Sequence, residues 1–187
     1  MKKRALFGGS FDPFHLGHLG MISLLKEAAL VDCVQVMPCK QSPHKLDKKY
    51  TASEHRLAMA ELALADGEIK GFAKVDDYEL QQAEVSYTYK TLDFLNESYP
   101  DDEIVLVVGA DQWASFDRWV KNNQILENHS LIVFGRHGQE MVKHPRVSYL
   151  EYGNPASATM IREGRKWEEM LTPSVIGYIK KNGLYGA

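Results

Sequence analysis

Residues 8–18 read Gly-Gly-Ser-Phe-Asp-Pro-Phe-His-Leu-Gly-His, which sets two imidazoles three residues apart just after a glycine turn. Ala5, Leu6 and Phe7, with Gly8 and Gly9, predict a buried first strand that runs straight into the turn. Leu16, Leu19, Ile22, Leu24 and Leu25 then recur at helical spacing. His15 and His18 therefore stand at the mouth of a helix, where free backbone N–H groups and the positive dipole end attract an anion. Two imidazoles there add donors to the same anion, so the chemistry on offer is phosphate binding. The competing reading of these residue types is a plain glycine turn with two surface histidines.

The elements that must position these groups follow from the apolar runs. Val34-Gln35-Val36-Met37 predicts a second strand halted by Pro38, followed by a polar, basic loop from Lys40 to Tyr50 that contains Pro43. A loop of this length is expected to act as a lid that orders on ligand binding. Thr51 or Ser53 is expected to cap a helix with Leu57, Ala60 and Leu64 on its apolar face. Phe72–Val75 predicts a third strand, and a helix beginning at Tyr87 must stop before Pro100. Ile104 to Val108 are all β-branched or leucine and are closed by Gly109, the pattern of a strand covered on both faces. Leu131–Phe134, closed by Gly135, repeats it, and Val147–Leu150 is a shorter strand.

Two helices, about residues 159–169 and 174–181, are expected to finish the chain, the second with Pro173 at its start and Gly183 past its end. This alternation predicts an α/β fold: a Rossmann-like doubly wound parallel sheet with helices on both faces and a small C-terminal helical segment, about 157–187. Residues 1–187 are expected to form one domain. Ligands of such sheets bind outside the carboxyl ends of the strands, so the residues after Phe7, Met37, Val108 and Phe134 should face one crevice.

Composition narrows the partners. With 187 residues the chain can bury a full core without disulfides or metals. A net charge of −3 argues against a general nucleic-acid or membrane-surface binder, so phosphate affinity must come from a local site. The apolar run after Met1, Lys2, Lys3 and Arg4 is too short for a signal peptide or a membrane span. Cys33 and Cys39 lack metal-type spacing and are expected to be reduced, buried and cytoplasmic. Oligomeric state, a homo-oligomer included, stays open at this level.

The opening run resembles the [TH]-x-G-H motif of the nucleotidyltransferase superfamily. Further landmarks follow in order: Ser42-Pro43-His44-Lys45, Arg56, Ser86-Tyr87-Thr88 with Thr91-Leu92, and Gly109-Ala110-Asp111 followed by Trp119. Gly135-Arg136, Ser157-Ala158-Thr159-Met160-Ile161-Arg162, and a closing Pro173, Tyr178-Ile179 and Leu184-Tyr185 complete them. The first run and the Ser157–Arg162 block mark the superfamily. The Pro-His-Lys, Ser-Tyr-Thr and Gly-x-Asp…Trp blocks are similar to those of the bacterial nicotinate-nucleotide adenylyltransferases. Two departures stand out: Ala158 where the family usually has serine, and Ser42 where it usually has proline.

The resemblance implies transfer of AMP from ATP to nicotinate mononucleotide, giving nicotinate adenine dinucleotide and pyrophosphate by direct in-line displacement. The attacking 5′-phosphate has a second pKa of about 6, so it is largely ionised at neutral pH and needs no general base. Catalysis is then positioning and charge neutralisation. His15, His18 and Arg162 are implied on the phosphates, with Ser157 and Thr159 as caps of the helix that carries Arg162 and Ile161 beside them. Gly8, Gly9, Ser10 and Phe11 form the glycine-turn wall of the ATP half. Gly17 is expected to let the helix start lie flat against the nucleoside. Gly109, Asp111 and Arg136 extend that half, Asp111 as a ribose acceptor or a helix cap. The nicotinate half falls to His44, Lys45, Ser86, Tyr87 and Thr88, with Trp119 as the stacking platform. Trp113 is expected in the core, and His55, His129, His137 and His144 at surface or structural positions. Asp12 is expected to hold the glycine turn. Mg²⁺ is expected to arrive on the ATP phosphates, without dedicated protein ligands.

Rival readings are an adenylyltransferase acting on phosphopantetheine or nicotinamide mononucleotide, and a non-catalytic nucleotide-binding domain on the same fold. A dinucleotide-dependent dehydrogenase is disfavoured because no Gly-x-Gly-x-x-Gly follows the first strand.

Overall fold

The computed structural model describes residues 1–43, 46–83, 85–135, 144–164 and 167–187. Six strands are formed: β1 (Lys2–Gly9), β2 (Cys33–Pro38), β3 (Ala73–Val75), β4 (Asp102–Gly109), β5 (Ser130–Gly135) and β6 (Val147–Glu151). All pair in parallel, in the order β3-β2-β1-β4-β5-β6. The order reverses between β1 and β4, which opens a crevice at their carboxyl ends.

The connections carry α1 (Leu16–Glu27), α2 (Ser53–Asp66), α3 (Tyr78–Gln81), α4 (Thr88–Ser98), α5 (Ala110–Trp113), α6 (Asn122–Asn128), α7 (Ala158–Arg162) and α8 (Pro173–Asn182). Successive strand residues point to opposite faces, so each central strand feeds two cores. Ala5, Phe7, Val105 and Val107 join one with Ile22, Leu25, Met59 and Ile179. Leu6, Leu106 and Val108 join the other with Leu92, Leu95 and Ile125. The doubly wound architecture is as the sequence pattern requires.

Three local expectations are corrected. The N-cap of α2 is Ala52, not Thr51 or Ser53. Thr51 instead donates its N–H to Asp12 Oδ2 (3.4 Å) and accepts at its carbonyl from Arg56 Nε (2.9 Å). The buried face of α2 includes Arg56 and Met59, with Leu57 only half-buried. The helix expected over residues 159–169 ends at Arg162, because Gly164 takes a left-handed φ of 70°. A 3₁₀ turn follows at Trp167–Met170.

The C-terminal segment lies on α2. Ser174 donates from its N–H (2.9 Å) and hydroxyl (2.6 Å) to Asp66, and His55 Nδ1 meets the Tyr178 hydroxyl at 2.9 Å. Pro173 opens α8 and Gly183, at φ 59°, closes it. Gly183 is thus the left-handed C-cap that lets the chain turn back toward β1.

Candidate active site

Behind β1 the chain folds tightly around aromatic rings. A Cβ at Gly9 would lie 2.9 Å from Phe11 Cε1, so only glycine lets the turn close over that ring. Phe11 is buried at a left-handed φ of 44°. The next peptide bond, Asp12–Pro13, is cis. Phe11 and Phe14 hold the His18 ring at centroid distances of 5.0 and 5.1 Å, with Phe7 at 6.1 Å.

His15 and His18 stack, with ring centroids 3.7 Å apart and planes 22° from parallel. The His15 N–H donates to His18 Nδ1 (3.2 Å), which leaves the His18 proton on Nε2 as a donor. Burial pushes the His15 imidazole down to about 4. Burial, and then the neighbouring His15, holds His18 well below the ordinary histidine range. Burial thus keeps both rings neutral at physiological pH. The His15 Nδ1 is buried and has no partner among the described residues. A Cβ at Gly17 would sit 2.9 Å from His15 Cε1 and Nδ1, so its absence also makes room for the imidazole.

Asp12 is a junction rather than a brace for the glycine turn. It is 1 % exposed, and its carboxylate accepts from the Tyr185 hydroxyl (2.7 Å) and the Thr51 N–H. Arg162 Nη1 donates to its carbonyl (2.6 Å), while Arg162 Nη2 reaches Thr159 Oγ1 (3.2 Å). Burial raises the Tyr185 phenol well above its ordinary value. Ser157 is the N-cap residue of α7, without a side-chain cap bond. Ile161 was expected among the ATP contacts. Its side chain is fully buried in the core and its N–H is bonded to the Ser157 carbonyl (3.0 Å).

Sequence reasoning marked Arg56 without giving it a task. Its guanidinium is 1 % exposed and donates to three backbone carbonyls: Ser10 (2.7 Å) after β1, Cys39 (2.8 Å) after β2, and Thr51 before α2. A fourth bond runs to Ser53 Oγ (3.4 Å). Buried arginine in a helix is an improbable core residue from periodicity alone, which is why only its motif context exposed it.

On the other side of the β1 end lies a cavity of about 280 Å³. It brings together Gly8, Gly9 and Ser10 with Ser86, Tyr87 and Thr88, and with Asp111 and Trp119; Cys39, Ser42, Pro43, Tyr50 and Glu79 also line it. His15, His18, Ser157, Thr159 and Arg162 are not among its walls, so the site has two halves that meet at the glycine turn. Asp111 is exposed and is not the cap of α5, a place taken by Gly109, whose N–H donates to Gln112 Oε1 (3.0 Å). Trp119 is half-buried against Phe116 (5.2 Å), and Trp113 packs on Phe116 and Tyr149. His129 is structural, with Nδ1 3.1 Å from the Ile104 carbonyl, and His144 accepts from the Arg146 N–H. His44, Lys45, Arg136 and His137 lie outside the described residues.

A parallel α/β sheet with an imidazole pair at the first helix mouth defines a nucleotide-handling protein of the phosphate-binding kind. The family model described as cytidylyltransferase-like matches residues 6–164. A probable nicotinate-nucleotide adenylyltransferase of Rhodopirellula baltica is 43% identical over 133 residues, 71% of this chain and 61% of that relative's length. The nicotinate-nucleotide adenylyltransferase of Bacillus subtilis is 33% identical over 190 residues, covering 99% of each chain. The chain belongs to the cytidylyltransferase-like family and, within it, to the nicotinate-nucleotide adenylyltransferases. Plasmodium falciparum nicotinic acid mononucleotide adenylyltransferase, solved in complex with NaAD, shares the fold with a TM-score of 0.86 at 20% identity, over 99% of this chain and 98% of that one.

Two outcomes follow from the geometry. Arg56→Met strands buried carbonyls on three segments and is expected to lower stability by about 3 kcal/mol, read as a fall in urea midpoint at constant m-value. The histidine pair adds a pH dependence. Its folded pKa values lie below the unfolded value of 6.5, so the unfolded chain binds more protons between them. Stability should be full above pH 6.5 and fall as pH drops toward about 4, and His15→Asn should flatten that slope in pH-stepped denaturation.

Proposed function

We propose that the chain transfers AMP from ATP to nicotinate mononucleotide, with release of pyrophosphate, and does so in the cytoplasm. The observation that carries this reading is the two-sided site: neutral, stacked His15 and His18 on one flank of the glycine turn, and the cavity walled by Ser86–Thr88 and Trp119 on the other. No helix among the described residues is long and apolar enough to cross a membrane, and Cys33 and Cys39 are buried and not joined in a disulfide.

Mg²⁺ would accompany ATP, where it would offset negative charge on the phosphates. Among the described residues no group of three His, Cys, Asp or Glu side chains is placed to hold a metal. His18 offers its Nε2–H to the phosphates, joined by His15 and the N–H groups at the start of α1. Arg162, with Ser157 and Thr159, closes the phosphate side, and Gly8, Gly9 and Ser10 let the triphosphate approach the sheet end. Arg136 and Asp111 serve the nucleoside. The nicotinate ring stacks on Trp119, with Tyr87 and Thr88 beside it and Ser86 supporting them, and His44 and Lys45 close over the acceptor phosphate. With both substrates in line, the acceptor's ionised 5′-phosphate oxygen attacks the α-phosphorus and pyrophosphate leaves. The protein supplies position and hydrogen-bond donors, and no proton need be abstracted.

Side-by-side pyrophosphate release from ATP with nicotinate mononucleotide, nicotinamide mononucleotide and phosphopantetheine tests the reading. The acid is expected to give the highest kcat/KM. Release with none of the three would leave a nucleotide-binding domain without this chemistry. His18→Ala should lower kcat by about 100-fold while the KM for ATP stays within a few-fold, because its contact tightens in the transition state. A variant with near-normal kcat removes His18 from the mechanism.

A further inference from the structure

Glu79 is a buried carboxyl in the wall of the acceptor cavity, and nothing in the phosphate chemistry uses it. It is 7 % exposed and accepts from the Thr91 hydroxyl at 2.6 Å, with Thr91 itself 1 % exposed. The Ser86 hydroxyl is its second partner. Both partners are neutral. Burial pushes the carboxyl up, and the two hydroxyl bonds oppose that push.

The platform under Glu79 is rigid. Asp76, just past β3, takes the Tyr78 N–H on Oδ1 (3.0 Å) and the Gln35 amide on Oδ2 (3.1 Å), and its own N–H is bonded to the Val36 carbonyl (2.9 Å). Short helix α3 is thereby fixed to the ends of β2 and β3. Tyr78 stacks on Phe94 of α4, with centroids 3.7 Å apart and planes 4° from parallel. Ser86 is gripped from the opposite side, where Lys40 N–H donates to its hydroxyl (3.0 Å) and its own N–H donates to the Gln41 carbonyl (2.9 Å). The Ser86 oxygen therefore accepts from the loop after β2, on the same side chain that acts on Glu79.

The turn held in this way leads into α4, whose N-cap is Tyr87 and which no side chain caps. Tyr87 and Thr88 line the cavity, so the first-turn N–H groups of α4 border the space where the acceptor sits. An anionic ring substituent is favoured there over a neutral one only if those donors stay aimed at it and no carboxylate swings in.

We propose that Glu79 is a positioning residue for acceptor selectivity: through the hydroxyls of Ser86 and Thr91 it fixes the Ser86–Thr88 turn so that the uncapped start of α4 faces the substrate's carboxylate. This rests on the reading of nicotinate mononucleotide as acceptor. Glu79 acts through the turn and does not touch the reacting atoms.

Steady-state kinetics of wild type, Glu79→Ala, Glu79→Gln and Thr91→Val, with both the acid and the amide mononucleotide, test the proposal. Glu79→Ala should raise the KM for nicotinate mononucleotide by about tenfold, leave the KM for ATP within about twofold, and cut the acid-to-amide ratio of kcat/KM by a similar factor. Glu79→Gln keeps one acceptor and one donor for the hydroxyls and should stay within about threefold of wild type. Thr91→Val, nearly isosteric, should show the same selective rise in smaller measure and carries the test if Glu79→Ala does not fold. Equal rises in both KM values, or an unchanged acid-to-amide ratio in Glu79→Ala or in a folded Thr91→Val, overturn the role of Glu79. Wild-type enzyme that fails to turn over nicotinate mononucleotide refutes the functional reading instead, and the proposal with it.

Discussion

The site depends on one buried cation. Arg56 sits under the crevice with its guanidinium turned to carbonyl oxygens from the ends of β1 and β2 and from the segment before α2. Parallel strands end in carbonyls that have no ladder partner, and a crevice at a sheet end exposes several of them at once. Water would satisfy them but would leave the loops free to move. A planar donor fork with fixed geometry satisfies three loops together and sets their spacing. Because Arg56 is anchored in the first turns of α2, the spacing is referred to the helix layer and not to the loops themselves.

The two halves built on this spacing use opposite electrostatic strategies. On the phosphate side the imidazoles are desolvated, stacked and neutral, so they bring no charge that burial would strip of water. A polyanion arriving at the α1 mouth would favour their protonated forms and find donors already oriented. On the acceptor side the titratable group is an acid, Glu79, whose carboxyl burial pushes up and the Thr91 hydroxyl holds behind the turn.

Much of the fold was legible because its signals were local and redundant. The runs Ile104–Val108 and Leu131–Phe134 had no alternative as strands, and both appear with their closing glycines. The His15–His18 pair was legible for the same reason: a strand, a glycine turn and a helix start leave one place for it. What was missed involves contacts distant in sequence. Nothing around Asp12 announces that a tyrosine at position 185 bonds it across 173 residues. Nothing local to Thr51 shows that its backbone serves Arg56 and Asp12 and so cannot act as a cap. Glu79 lies in a four-residue helix too short for any periodicity to reveal. Gly164 broke the expected long helix because a single left-handed residue outweighs several residues of helix propensity when tertiary contacts favour the turn.

Asp12 shows how the end of the chain is recruited to its beginning. Its carbonyl and carboxylate are held by Arg162 and Tyr185, both from the C-terminal helical segment, while its neighbour Phe11 forms part of the His18 cage. The loop that bears the histidines takes a left-handed φ at Phe11, a conformation that side chains other than glycine rarely adopt unless their surroundings hold it. The restraint must come from outside the loop. Gly183 turns the chain back after α8, and Tyr185, itself left-handed at φ 56°, brings the phenol to Asp12. The small helical segment is therefore not an appendage to the sheet. It is the outer jaw of a clamp whose inner jaw is Arg56: one jaw holds Ser10 and the other Asp12, on either side of Phe11, so the short loop that leads into the imidazole pair is gripped at two points.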